Sequence, residues 1–206
     1  MSAAVLSLSV FASCETYKVG EPDTTAIAGI DGQYVAYAYE GGATDPTTLF
    51  TIQINNTAAD DADKGWITIT DADPNLFGSK NKNYLDAVRF KIDIDKAEMS
   101  FSCENADATE PNTCWNPYLA GQTGSYYTMA YTKKNFQNYK VSCKGKILVG
   151  AVTGTNGNGI DAIEITSYSR SWPDGTVKTY TAKGQRNTGW DDEMAEYDEF
   201  LDELSE

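Results

Sequence analysis

The stretch VRFKIDID, residues 88–95, decides the fold. Its even positions, Val88, Phe90, Ile92 and Ile94, are apolar, and its odd positions, Arg89, Lys91, Asp93 and Asp95, are charged. A helix would scatter those apolar side chains around its circumference, whereas a strand turns alternate residues to opposite faces. The stretch is therefore a strand in a sheet with one dry and one wet face.

The same period recurs along the chain. Tyr139, Val141, Cys143, Ile147 and Val149 fall on one side of a run that sets Lys140, Ser142, Lys144 and Lys146 on the other. Shorter alternating runs occupy 33–40, 49–54, 66–70, 99–103, 162–168 and 177–183. The total of about eight strands is the number that closes a small antiparallel up-and-down barrel. A β-sandwich would use the same runs, so both architectures stay open, with the barrel preferred. Tight connections support antiparallel neighbours: Asp95-Lys96-Ala97-Glu98 joins two strands, and Trp172-Pro173-Asp174-Gly175 joins the last two. In the second, proline presets one turn residue and glycine takes a positive φ.

Composition narrows the partners. With 206 residues, one domain is expected. Sixteen Lys and Arg stand against 30 Asp and Glu, so nucleic acid and anionic lipid headgroups would meet a repulsive field. Nine of the acids, and no base, lie in residues 189–206. There Met194, Tyr197, Leu201 and Leu204 recur at helical spacing with Phe200 beside them, predicting a short acidic amphipathic helix that frays unless docked. No run approaches the roughly 18 to 20 apolar residues of a membrane-spanning helix.

The front of the chain has a different character. Residues 3–12 are apolar or small and lead into Phe11-Ala12-Ser13-Cys14, which resembles a bacterial lipobox. Residues 1–13 then read as a signal peptide, clipped at its front since it lacks Lys and Arg, and Cys14 as the acylated first residue of the mature protein. Residues 14–29 form a lipidated tether rich in turn formers. The competing reading, a buried first strand over Val5–Val10, places Ser7 and Ser9 among apolar residues without partners. A lipid-anchored monomer in a bacterial cell envelope is expected, on the periplasmic or surface face of the outer membrane.

Several segments together resemble a known family. The lipobox-like start, the strand pattern, ILVGAV at 147–152 and YTAKGQRNTGW at 180–190 followed by acids are similar to bacterial lipoproteins described as lipid-binding putative hydrolases and as lipocalin-like. The resemblance covers roughly residues 25–193. It implies a lipocalin-like barrel over residues 30–188, with the acidic tail from 189 added. Such barrels commonly carry a Gly-x-Trp on the first strand beneath an arginine near the barrel end, which here points to Gly32-Gln33-Tyr34 and Arg186. A guanidinium over that ring would be worth about 1 to 2 kcal/mol.

The name hydrolase finds no machinery in the residues. The chain has no histidine, which excludes Ser-His-Asp and Cys-His nucleophiles and the usual zinc sites. It also lacks a Gly-x-Ser-x-Gly elbow. Ser79-Lys80-Asn81-Lys82 fits Ser-x-x-Lys by spacing but has no companion motif. Asp71-Ala72-Asp73-Pro74-Asn75 imitates a calcium loop, yet Leu76 stands where glycine is needed and Lys82 where the bidentate glutamate belongs; Asp60-Asp61-Ala62-Asp63 fails similarly. No catalytic residue, metal or cofactor is implied.

If Cys14 is acylated, three cysteines remain. Cys103 and Cys114 flank a short polar loop and are the preferred bridge, leaving Cys143 a buried thiol; Cys103 with Cys143 is the rival and needs their strands adjacent. Residues 104–138 are too long for a plain connection and carry Trp115, Tyr118, Tyr126, Tyr127, Tyr131 and Phe136. They suit a lid over a barrel mouth for a small lipid-like ligand. An extra strand at 125–131 with core aromatics is the plainer account. Three functions follow: a lipid-anchored barrel binding a small apolar or amphipathic ligand, an accessory surface lipoprotein with a filled barrel, and a hydrolase of unknown mechanism on the family's description alone.

Overall fold

The computed structural model describes residues 25–71, 86–108, 114–115, 126–127, 140–171 and 175–205. Eight long strands follow the predicted runs: β1 (Gly32–Glu40), β2 (Thr48–Asn56), β3 (Lys64–Asp71), β4 (Asp86–Asp95), β5 (Ser100–Asp107), β8 (Lys140–Thr153), β9 (Gly159–Ser171) and β10 (Val177–Arg186). Between β5 and β8 lies a two-residue pair, β6 (Cys114–Trp115) with β7 (Tyr126–Tyr127), and α1 (Asp191–Ser205) ends the fold. The eight long strands close as β1-β10-β9-β8-β5-β4-β3-β2, every neighbour antiparallel. The barrel is therefore up-and-down, and the sandwich is excluded.

The alternation of VRFKIDID sorts as its chemistry requires. Val88, Phe90, Ile92 and Ile94 are buried in the lumen, while Lys91, Asp93 and Asp95 are exposed. Each apolar residue removed from water contributes about 1.5 to 3 kcal/mol. Turns form where their residues permit. Asp95 Oδ1 accepts the backbone N–H groups of Ala97 at 3.0 Å and Glu98 at 3.2 Å, fixing the β4–β5 turn, and Gly175 takes φ +87° before β10.

Two bulges preserve the lumen where strict alternation would break it. On β5, Glu104 and Asn105 lie between Cys103 and Ala106, which face Cys143 and Val141; the extra residue is absorbed with Asn105 at φ +50°. On β9 an extra residue between Ile165 and Tyr168 lets Ile163, Ile165, Tyr168 and Arg170 all be buried. A bulge adds one residue to one strand and raises the local twist, which a tightly curved sheet needs. β8 departs from its predicted pattern: beyond Ile147 it runs past the barrel with β9 as a two-stranded extension, so Val149, expected on the dry face, is 69% exposed.

Helix α1 docks on the outside of β1 and β2. Met194 and Tyr197 are buried against Val35 and Leu49, and Tyr197 stacks on Tyr37 with ring centroids 4.8 Å apart. Phe200 meets the same ring edge-on at 5.2 Å, and Gln185 Nε2 donates to Glu193 O at 3.0 Å. Acids in the first turn suit the helix dipole, but no base stands in the last turn, so this docking opposes the mutual repulsion of the acids.

Closure falls at the β1–β10 seam, where Gly184 faces Ala36. A Cβ on Gly184 would lie 1.8 Å from Val35 O and 2.4 Å from Ala36 Cα, both backbone atoms that cannot yield. Gly184→Ala should therefore cost about 4 kcal/mol, lowering Tm by roughly 10 °C or preventing folding. Gly42→Ala, where a Cβ meets nothing within 4 Å, should cost only about 1 kcal/mol through its φ of +83°. Thermal unfolding followed by circular dichroism compares the two; equal losses would disprove the seam argument.

Candidate functional site

The strand directions give the barrel two distinct ends. At the near end β1 begins, β10 finishes, and the 56–64 and 95–100 turns lie beside the incoming chain. At the far end β3 and β5 finish and β4 and β8 begin.

The near end is plugged. Ile27 and Ile30, from the segment leading into β1, are fully buried in the core. Above them Arg186 Cζ sits 4.9 Å from the centroid of the Tyr34 ring, and Arg186 Nη2 donates to Tyr34 Oη at 2.9 Å. Tyr34 Oη donates in turn to Ile30 O at 3.0 Å. The guanidinium also donates from Nη1 to Asp31 O at 2.8 Å and from Nη2 to Asp161 Oδ2 at 3.1 Å. A Cβ on Gly32 would collide with Arg186 Nη1 at 2.1 Å, which is why glycine stands two residues before Tyr34. Tyr34 and Arg186, singled out from sequence, thus meet as a structural cap. Asp60 joins the same end, accepting Ala26 N–H at 2.9 Å, so this acid serves a turn.

The lumen is lined by aromatic rings from opposite walls. Phe50 of β2 meets Tyr168 of β9 edge-on at 5.7 Å and Tyr180 of β10 at 5.2 Å, while Phe90 of β4 stacks near Tyr168 at 6.1 Å. Toward the far end the lining turns polar. Thr48, Asp71 and Arg170 are all buried, and Thr48 Oγ1 donates to Asp71 Oδ1 at 2.5 Å. Asp71 continues the inward phase of Ile67 and Ile69, and Arg170 that of Tyr168. A buried cation and carboxylate beside an aromatic floor give the lumen both an apolar and a polar part.

The wall has a lateral cleft as well. Among the described residues β4 pairs with β5 only at Asp93–Ser102, Ile94–Phe101 and Asp95–Ser100, whereas β4 pairs with β3 from Asp86 to Asp93. The two strands part above those pairs, leaving a cleft of about 370 Å³ bordered by Lys91, Ile92, Cys103, Glu104 and Ala106. Among the described residues no group of three or more His, Cys, Asp or Glu side chains is placed to hold a metal.

The other residues chosen from sequence are distributed as follows. Trp115, Tyr126 and Tyr127 fall in the β6–β7 pair, in which Trp115 faces Tyr126. Tyr118, Tyr131, Phe136 and Cys14, the expected acylation site, lie outside the described residues. Cys103 is a free, buried thiol, so the bridge to Cys114 is not formed; the residue opposite it is Cys143, also free and buried. Thr48 and Arg170 were not singled out in advance, and Asp71 only as the first residue of a calcium-loop imitation. Their signal was present, since each breaks the apolar phase of its strand with a polar residue.

A model of the family described as "Lipid-binding putative hydrolase" matches residues 20–191. The chain belongs to this family. No curated protein is significantly similar to it. Among solved structures, a Bacteroides ovatus protein of unknown function is similar at 13% identity with a TM-score of 0.37, over 77% of this chain and 42% of that one. The chain thus spans less than half the length of that structure. For this member of the lipid-binding family, the barrel and its amphipathic lining are the features on which a ligand reading rests.

Burial makes both the near-end cap and the seat of α1 sensitive to alkali. Tyr34 and Tyr197 are both raised above the ordinary tyrosine range, chiefly by desolvation. In the unfolded chain they ionise near pH 10, while in the fold they stay protonated. Their contribution is whole below about pH 10 and is lost as pH rises beyond it. Tyr34→Phe should lower stability by about 1 to 2 kcal/mol at neutral pH and flatten the alkaline decline. Urea unfolding at neutral and alkaline pH checks both, and an unchanged alkaline slope would refute the assignment.

Proposed function

We propose that the protein is a lipid-anchored lipoprotein of a bacterial cell envelope whose barrel binds an amphipathic, lipid-like molecule at its far end. The apolar part packs on Phe50, Tyr168 and Tyr180, and the polar head is held beside Thr48, Asp71 and Arg170. The observation that carries this reading is the burial of Arg170 and Asp71 in a lumen lined mainly by aromatic and aliphatic groups. Membership of a lipid-binding family supports it. So does the chain order, since the aromatic-rich residues between β5 and β8 join the far ends of those two strands.

The aromatic contacts limit where the ligand lies. Rings from β2, β4, β9 and β10 touch across the lumen, so an acyl chain does not run the barrel's length. The same contacts favour a second reading, an accessory surface lipoprotein whose barrel is simply filled. Hydrolysis is supported by the family's description alone.

Native mass spectrometry of the mature protein separates these readings. The first predicts a co-purifying lipid-sized adduct and displacement of a fluorescent fatty acid. Arg170→Met should weaken the probe about tenfold, near 1.4 kcal/mol, with the Tm compared to confirm folding. A clean mass together with no probe binding leaves the filled barrel. Anchoring is tested apart from binding: an alkyne fatty acid fed to a bacterial host should label the protein, and Cys14→Ser should abolish the label. Persistent labelling would move the anchor elsewhere.

A further inference from the structure

Cys103 and Cys143 stand directly opposite each other on β5 and β8, both turned into the lumen. Opposed residues of antiparallel strands have Cα atoms about 4.5 to 5.5 Å apart, within the span a disulfide bridges. Cys103 Sγ is already held at this ladder, 3.6 Å from Val141 O. Cys103 retains 9% exposure and borders the cleft between β4 and β5, while Cys143 is fully buried. A reagent entering the cleft therefore reaches Cys103 first, with Cys143 behind it.

We propose that Cys103 and Cys143 are a redox pair, joined by thiol–disulfide exchange with an oxidised disulfide donor into a bridge that clamps the root of the β5–β8 connection. The Cys103 thiolate attacks one sulfur of the donor, and the S–S bond of the donor breaks to release its first thiol. The Cys143 thiolate then attacks the Cys103 sulfur of the mixed disulfide and expels the second. Two protons leave the protein thiols and two are taken up by the donor thiols; the protein is oxidised by two electrons and the donor reduced by two. Burial pushes the Cys103 thiol up to about 11 and Cys143 well above its usual range, so reaction is slow at neutral pH and quickens in alkali.

The bridge would do what a Cys103–Cys114 bond does not. That bond closes a small loop inside the connection, whereas Cys103–Cys143 encloses all of 104–142 and ties its two ends beside the bulge at Glu104 and Asn105. It requires neither a lipid anchor nor a bound ligand.

The test uses the full chain, reduced and then exposed to oxidised glutathione at mildly alkaline pH. The intact mass should fall by two hydrogens, and peptide mapping should join Cys103 to Cys143. A protease cutting after Glu104 is needed, because trypsin leaves Cys103 and Cys114 together between Lys96 and Lys133. Oxidation should raise Tm by roughly 5 to 10 °C in the unsubstituted chain and in Cys114→Ser, but not in Cys103→Ser. A Cys103–Cys114 bridge, a stable glutathione adduct on Cys103, or thiols that remain fully alkylatable would each overturn the proposal. The mapping needs no substitution, so a misfolded variant does not obscure it.

Discussion

The β1–β10 seam turns a curved sheet into a barrel, and the rest of the structure depends on it. At Gly184 the two backbones approach so closely that no side chain fits between them, and beside it Tyr34 and Arg186 pair across the same ladder. Without the seam the lumen opens, Ile27 and Ile30 lose their seat, and Gln185 no longer holds the start of α1. Barrel closure pairs β1 and β10 on both sides, and here that depends on one glycine and one guanidinium.

Much of this was legible in the residues, and the physical reason is local. A strand with one wet face must alternate, so Val88–Asp95 announced both its conformation and its orientation. The eight runs and the turns between them then left few ways to pair. What escaped was non-local. The bulges on β5 and β9 break the period, and the signal that repairs it, Ile163, Ile165 and Tyr168 at uneven spacing, has meaning only once the neighbouring strands are known. Val149 carried the apolar phase past the point where the barrel ends, because alternation says nothing of strand length. The seat of α1 was hidden for a similar reason: Val35, Tyr37 and Leu49 are apolar residues on the wet phase of their strands, and they make sense only when the helix covers them.

The candidate site was less legible than the fold. Attention fell on the aromatic-rich 104–138 segment because its composition is unusual, yet the described polar groups of the lumen come from the strands. Arg170 and Asp71 are single exceptions within regular patterns, and single exceptions are weak signals in a chain with 46 charged residues, 16 basic and 30 acidic. The pairing of Tyr34 with Arg186 shows the opposite case. A short motif, Gly32-x-Tyr34, pointed to a distant arginine because the geometry it serves allows little variation.

Tyr34 and Arg186 are separated by 152 positions in the chain. During synthesis, β1 is therefore made before the other strands of the barrel and waits for its second neighbour until β10 has left the ribosome. Until then the growing sheet has two open borders and an uncovered apolar face, which invite pairing with other chains. A polypeptide interrupted anywhere before residue 186 keeps that hazard permanently, so completion of β10, more than the strength of any one strand, separates the folded barrel from an aggregate.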